Sequence, residues 1–335
     1  MSARVLVTDY AWPSLEIERT ILGEAGAELV VAETGEPAEL VELAAGVDAI
    51  LTNWRRVPEE ALDAAAQCLV VARYGVGVDN IPVARATELG MLVVNVPDFC
   101  VEEVSDHTLA LLLASARRIV TFARSTHAGT WDLLGLGRGL PRLRGQRLGI
   151  VGFGNMARAL IPKAQGLGLE ITVYTPRLPV GRDEELGLET TNDLAYLLST
   201  SDYVSLHAPA TPATQGLIGE AELRAMKPTA YLINTSRGAL IDETALERAL
   251  TEGWIAGAAL DVLAQEPARP DHPLLALDNA IVTPHAGFYS EPAISELATK
   301  AARNVATVLR GEVPATLINP TVLTHPAYRL GARGA

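Results

Sequence analysis

The sequence predicts an α/β protein of two doubly wound domains with a cleft between them, the first domain being discontinuous in the chain. Three observations carry this. Short β-type runs alternate with helical patterns from end to end, the signature of parallel sheets flanked by helices. The runs are apolar on successive residues instead of alternating, as strands covered on both faces must be. The chain has 335 residues, enough for two cores of ordinary size.

In chain order, the first group of strands reads Val5–Thr8, Ala49–Thr52, Leu69–Ala72 and Leu92–Val94. A helical segment follows from about Val101 to Val120, with Leu109, Leu112 and Leu113 on one side. The Gly- and Arg-rich stretch Gly135–Gly145 reads as a loop that wraps over a neighbour or another subunit. The second group of strands reads Leu148–Val151, Ile171–Tyr174, Val204–Leu206, Tyr231–Ile233, Gly257–Leu260 and Ile281–Thr283. Ile294–Leu309 reads as a helix that returns to the first domain, so the expected bounds are 1–101 with 288–335, and 102–287.

Composition narrows the function. A net charge of −13 argues against a nucleic acid or an anionic membrane as partner, since either needs a basic surface. The longest apolar stretch, Leu109–Ala116, is too short to span a bilayer, and the first residues lack the shape of a signal peptide. Two cysteines, Cys68 and Cys100, cannot build a disulfide framework or a four-thiolate zinc site. Both sit beside apolar runs and read as buried thiols, so a reducing, cytoplasmic setting is expected. The remaining histidines (His127, His207, His272, His325) are not spaced as metal ligands, and no metal is expected.

The run Leu148–Val151 leads directly into Gly152-Phe-Gly154-Asn155-Met156-Ala157, a G-x-G-x-x-A sequence in strand–turn–helix context. Gly152 permits the tight turn, Gly154 lets a pyrophosphate approach the backbone, and Ala157 keeps the helix close to the sheet. The amides of Asn155 and Met156 then face an anion, aided by the helix dipole. This marks 102–287 as a Rossmann-like dinucleotide-binding domain. The next strand ends Tyr174-Thr175-Pro176-Arg177, without the acidic residue that grips the ribose of NAD. A carboxylate there would repel a 2′-phosphate, whereas Arg177 can pair with one, so NADP(H) is favoured over NAD(H).

Three further strand ends read Ile233-Asn-Thr235-Ser236-Arg237-Gly238, Leu260-Asp261 running on to Glu266, and Thr283-Pro-His285-Ala-Gly287. Hydride addition to a ketone creates charge on oxygen, and histidine suits the proton donor. A carboxylate on its other ring nitrogen favours the charged imidazole and fixes its orientation. An arginine binds a substrate carboxylate and polarises the carbonyl. Arg237, Glu266 and His285 are therefore the candidate catalytic set for a small 2-oxo/2-hydroxy acid.

With Arg73-Tyr-Gly75-Val76-Gly77-Val-Asp79-Asn80, the run Pro97 to Thr108 and the Gly152 fingerprint, these make six motifs in order. On them the chain resembles, over nearly its whole length, the D-isomer-specific 2-hydroxyacid dehydrogenase family. Its branches include D-3-phosphoglycerate dehydrogenase, formate dehydrogenase, glyoxylate/hydroxypyruvate reductase and the C-terminal-binding-protein corepressors. The run from Pro97 to His107 is most similar to the corepressor-like branch. The resemblance implies that Arg237 binds substrate, that His285 is the acid/base and that Glu266 is its partner. Residues 1–101 and 288–335 would form a flavodoxin-like substrate-binding domain whose Gly75, Val76 and Gly77 amides hold the carboxylate. Asp261 would meet the nicotinamide carboxamide, while Ala208, Thr235 and Ser236 line the cofactor with His107 nearby. Val76, His285 and Gly287 would also touch it. The 101–120 helix and its following loop would form a homodimer interface. Thr175 departs from the acid of NAD-using members and matches NADPH-using glyoxylate/hydroxypyruvate reductases. Phe288 stands where the corepressor-like branch carries a tryptophan, which leaves the substrate pocket open. Two other readings are a nicotinamide-sensing, corepressor-like scaffold and a dehydrogenase for a phosphonate- or phosphite-type oxyanion.

Overall fold

The computed structural model describes residues 2–176 and 178–333, and they fall into two compact units. The first comprises Met1–Phe99 with Ser290–Ala335 and the second Cys100–Tyr289, so the first unit is interrupted by the second. No helix among the described residues is long and apolar enough to cross a membrane.

The first unit opens with β1 (Ala3–Val7), α1 (Glu16–Glu24), β2 (Ala27–Val31), α2 (Pro37–Ala44) and β3 (Ala49–Thr52). It continues through α3 (Glu59–Ala64), β4 (Val70–Arg73), α4 (Val83–Glu88) and β5 (Leu92–Val94). The five strands lie in the order β2-β1-β3-β4-β5, all parallel. Leu6, Ile50, Val71 and Val93 form the centre of a core with Leu40 and Leu62 from the helices. β2 is absent from the sequence reading. It is an edge strand whose Glu28 is exposed and whose Leu29–Val31 are half-buried, so it lacks the unbroken apolar burial of its neighbours.

The second unit begins with α5 (Val101–Ala116), α6 (Ile119–His127) and α7 (Leu133–Gly137). The single helix expected over 101–120 is thus two. Arg118 takes a left-handed backbone (φ 50°), and its guanidinium donates to the carbonyls of Leu136 and Arg138, which turns the chain. Next come β6 (Arg147–Val151), α8 (Asn155–Gly166), β7 (Glu170–Tyr174), β8 (Gly181–Asp183), β9 (Leu188–Thr191) and α9 (Leu194–Thr200). They are followed by β10 (Tyr203–Leu206), α10 (Glu220–Ala225), β11 (Tyr231–Asn234), α11 (Glu243–Thr251), β12 (Gly257–Leu260) and β13 (Ala280–Val282). The sheet order is β13-β12-β11-β10-β6-β7-β9-β8, parallel except for the terminal β8. One face is covered by a core around Leu206, Leu232, Leu246 and Leu260, the other by Leu112, Ile150, Leu160 and Ile233. Burial on both faces explains why these strands read as continuous apolar runs.

The chain re-enters the first unit through α12 (Glu291–Leu309), where Ser290 caps the amide of Ala293 at 3.0 Å and Pro292 occupies the first turn. α12 packs on α1 and β4 and is followed by α13 (Arg329–Arg333). The tail closes the edge at β5. Ile318 N–H donates to the Val93 carbonyl at 2.8 Å. The buried Asn319 accepts from Val93 N–H at 2.8 Å and donates to the Met91 carbonyl at 3.0 Å and to Thr87 Oγ1 at 2.8 Å. Asn319→Ala should therefore leave two backbone groups without partners and destabilise the protein by about 2–3 kcal/mol, read as a lowered denaturation midpoint.

Candidate active site

In an all-parallel sheet every strand delivers its C-terminal residue to the same edge, and the turns that follow gather there. In the second unit, β6 ends at Gly152. Its φ is 104°, and a Cβ would lie 2.6 Å from the His207 carbonyl oxygen and 2.9 Å from the Ala208 nitrogen. Only glycine fits, which is the tight turn the sequence predicts. Gly154 is the N-cap of α8; no side chain caps it, and a Cβ there would enter open space. The first-turn amides of a 12-residue helix, Asn155 and Met156 among them, thus start beside an open approach. This is an arrangement suited to a pyrophosphate.

The neighbouring turns are tied by hydrogen bonds. After β11, buried Asn234 accepts from Ser236 N–H at 3.0 Å and donates to the Arg237 carbonyl at 2.8 Å, closing the turn that carries the arginine. Arg237 Nη1 donates to the Ser236 carbonyl at 2.7 Å. Gly238 then packs backbone on backbone: a Cβ would lie 1.9 Å from the Leu263 carbonyl carbon. This contact sets the Arg237 turn against the loop that follows β12.

That loop carries Glu266. Its Oε1 accepts from Leu263 N–H at 2.9 Å, and its Oε2 lies 2.6 Å from His285 Nδ1. A carboxylate has no proton to give, so Nδ1 carries it and Nε2 remains as the other ring nitrogen. Both side chains are partly exposed, 23% for His285 and 33% for Glu266. His285 adopts φ 52°, unusual for a residue with a side chain, and its N–H is held by the Asp261 carbonyl at 2.8 Å. The Phe288 ring lies edge-on to the imidazole, 6.0 Å between centroids.

Asp261, 2% exposed, fixes that backbone. Its carboxylate accepts from Thr283 Oγ1 at 2.6 Å, Ala286 N–H at 2.9 Å and Gly287 N–H at 2.8 Å, with His107 Nε2 at 3.3 Å. His107 Nε2 also lies 3.0 Å from Thr283 Oγ1. Burial alone would raise the Asp261 carboxyl; the bonds from His107, Thr283 and the two amides outweigh it and hold the group below the ordinary aspartate value. The carboxylate expected at the cofactor carboxamide thus also braces the loop bearing His285. Thr235 Oγ1 pairs with Thr108 Oγ1 on α5 at 2.8 Å, and Ser236 Oγ donates to the Leu206 carbonyl at 2.8 Å. His207 is half-buried beside Ser205 Oγ at 2.9 Å, and desolvation lowers its pKa to about 4, so it is neutral near pH 7. Thr175 is buried at the end of β7, while Arg177 lies outside the described residues. No group of three or more His, Cys, Asp or Glu among the described residues could hold a metal ion.

In the first unit, the loop after β4 holds Gly75 at φ 141°. The Gly75 carbonyl accepts from Val96 N–H at 3.0 Å and the Val76 carbonyl from Asn95 Nδ2 at 2.6 Å. In a trans peptide the N–H points opposite to the carbonyl, so the amides of Val76 and Gly77 face away from Asn95 and Val96. Two successive amides aimed the same way suit an anion.

Asn234, Thr283, Gly238 and Thr108 were given no role in the sequence reading. All four stand inside motifs it quotes, but a residue that bonds or packs against a neighbouring loop looks the same in sequence as one that faces solvent.

The family description "D-isomer specific 2-hydroxyacid dehydrogenase, NAD binding domain" matches residues 109–287. A glyoxylate reductase of Korarchaeum cryptofilum is 43% identical over 272 residues, covering 80% of this chain and 81% of that one. Another from Thermococcus litoralis is 42% identical over 294 residues, with coverage of 85% and 87%. The crystal structure of an NADPH-dependent glyoxylate/hydroxypyruvate reductase from Sinorhizobium meliloti, in complex with NADP and malonate, superposes with a TM-score of 0.83. It shares 29% identity and covers 95% of this chain and 97% of that one. Fold and fingerprint define the class, a nicotinamide-dependent oxidoreductase of Rossmann type. Within that class the chain belongs to the D-isomer-specific 2-hydroxyacid dehydrogenase family.

Two outcomes test the local geometry. Gly238→Ala should drive the Arg237 turn off the Glu266 loop and lower kcat/KM by about 100-fold or more, since reacting groups misplaced by about 1 Å lose that much. For Asp261, the depressed folded pKa means that its contribution to stability is present above about pH 4 and is lost as pH falls through the folded value. Asp261→Asn should thus be destabilised most near neutral pH, and its melting temperature should approach that of the parent as pH falls through the depressed folded value.

Proposed function

We propose that this enzyme reduces a short 2-oxo acid, glyoxylate or hydroxypyruvate, to the 2-hydroxy acid, giving the D configuration where the product is chiral. The observation that carries the chemistry is the 2.6 Å contact between His285 Nδ1 and Glu266 Oε2. It supports Nε2 as the atom that exchanges a proton with substrate. The names of the glyoxylate reductases at 42–43% identity support the substrate class.

When bound, the nicotinamide supplies or accepts the hydride. The protein's own residues do the rest. Arg237 holds the oxo acid and draws charge toward the carbonyl oxygen, so that negative charge developing there is stabilised. His285 Nε2 gives its proton to that oxygen in reduction and takes it back in oxidation. Glu266 keeps the imidazole oriented through Nδ1. In the first unit, the amides of Gly75, Val76 and Gly77 supply donors for a carboxylate, which gives that unit the substrate-binding role. The Gly152 turn and the start of α8 take the pyrophosphate, with His107, Ala208, Thr235, Ser236 and Gly287 lining the cofactor.

NADP(H) is proposed as the preferred cofactor. Neutral Thr175 does not repel a 2′-phosphate, and Arg177 two residues on supplies a partner for it. A homodimer is proposed through the segment after α5, where Trp131 and Leu134 are 88% and 85% exposed. Large apolar side chains in one run at such exposure mark a surface that is covered in the working protein. The two cysteines are buried and in no disulfide, in keeping with a cytoplasmic setting.

Turnover of a 2-oxo-acid panel with NADPH and with NADH tests the reading: glyoxylate or hydroxypyruvate with NADPH should give the highest kcat/KM. His285→Ala should lose about 100- to 10,000-fold in kcat while the cofactor dissociation constant stays within about threefold. Parent-like turnover by that variant removes His285 from the proton transfer.

A further inference from the structure

α1 of the first unit buries a carboxyl that nothing so far uses. Glu18 is 0% exposed. Its Oε1 accepts from Tyr74 Oη at 3.1 Å and from Trp12 Nε1 at 3.2 Å, while Oε2 has no hydrogen-bond partner among the described residues. Trp12 stands edge-on to Tyr74 at 4.8 Å between ring centroids. Burial pushes the Glu18 carboxyl up, toward the protonated form. Its Oε2 without a partner among the described residues is a cost, and its Oε1 is the acceptor that satisfies the buried Tyr74 hydroxyl and Trp12 indole. What the group does is grip the hydroxyl of Tyr74, itself 1% exposed, and Tyr74 is the residue immediately before Gly75.

The loop that follows is held on its far side by Asn95 and Val96, which take the carbonyls of Val76 and Gly75. On its near side the backbone bond from Tyr74 N–H to the Thr52 carbonyl, 2.8 Å, belongs to the sheet and ends there. Gly75 at φ 141° has no side chain to restrain the torsions between Tyr74 and the two outward amides. The buried Tyr74 ring, held by Glu18 and Trp12, is the side-chain anchor immediately before that glycine.

We propose that Glu18 is a positioning residue for the outward amides of Val76 and Gly77, acting through Tyr74, with Trp12 bracing both. This rests on the reading of that loop as the carboxylate-binding element. Loosening a preorganised anion cradle weakens binding of the anion more than it slows proton and hydride transfer. Substrate KM should therefore respond, and kcat should not.

The test compares Glu18→Leu, Glu18→Gln, Tyr74→Phe, the Glu18→Leu/Tyr74→Phe double variant and Gly75→Ala in the full-length enzyme. Readouts are KM and kcat for the best 2-oxo acid, the cofactor dissociation constant and the melting temperature. Glu18→Leu and Tyr74→Phe should each raise KM about tenfold, with kcat and cofactor affinity within about threefold. Glu18→Gln keeps an acceptor for Tyr74 and Trp12 and should stay within about twofold of the parent. The double variant should be no worse than the worse single one, because both cut the same link. A folded Glu18→Leu enzyme with parent KM, or a fall in melting temperature with KM unmoved, overturns the proposal. If Glu18→Leu fails to fold, Tyr74→Phe decides, since it loses one hydroxyl, and a parent KM there overturns it equally. Gly75→Ala strains the loop directly, its Cβ lying 3.0 Å from Arg73 Nη1 at a φ that L-residues avoid. If Gly75→Ala raises KM and the Glu18 and Tyr74 variants do not, this proposal alone fails. If Gly75→Ala leaves KM unchanged, the carboxylate reading of the loop fails and takes this one with it.

Discussion

One carboxylate sets the shape of the proposed reaction centre. Asp261 sits at the end of a buried strand and collects a hydroxyl, two backbone amides and an imidazole nitrogen, all within 3.3 Å. Its backbone carbonyl takes a fifth donor, the N–H of His285. A left-handed backbone at a residue with a side chain costs on the order of 1–2 kcal/mol and persists only where surrounding bonds over-determine it. Here they do. The imidazole is thereby aimed with little freedom before Glu266 adds its own bond. Removing charge from Asp261 would disturb the histidine without touching it.

The rest of the arrangement follows from the parallel sheet. β11, β12 and β13 are neighbours in register, Asn234 beside Leu260 and Leu260 beside Val282, so their following turns start level with one another. Arg237, Glu266 and His285 arise three, six and three residues past those positions. Glycines then set the distances between turns. Gly238 lets the arginine turn rest on the Leu263 backbone, and Gly152 brings the fingerprint turn against His207 and Ala208. A methyl group at either place would push apart loops that must meet around one small molecule.

The inner strands were legible because burial on both faces forces a run of apolar residues. β2 and the β8–β9 hairpin were not: the edge strands β2 and β8 are largely half-buried or exposed, and Glu189, Thr190 and Thr191 leave β9 without an apolar run. The break at Arg118 was invisible for a different reason. It depends on carbonyls of residues 136 and 138, which no local window contains. In the site, residue types and their strand ends were readable because the chemistry demands them. The donors that Asp261 accepts from inside the protein, and the part Thr283 plays among them, were not readable. Both cases turn on which bonds are already made, information held only in three dimensions. Glu18 is the extreme instance, an acidic residue in a helix of ordinary pattern whose burial nothing in the sequence announces.

The interruption of the first unit has a consequence for how the molecule is made. Its opening segment leaves the ribosome lacking α12, which packs on α1 and β4, and the tail whose Asn319 seals β5. Those pieces emerge only after about 190 further residues, the whole inserted unit. At about 5–20 residues per second that is a delay of roughly 10–40 s, long on the scale of domain folding. The inserted unit has every strand of its own sheet in hand and can fold in that interval. The opening segment must wait with its apolar helix face exposed, and so it is the part of the nascent chain with most need of a chaperone.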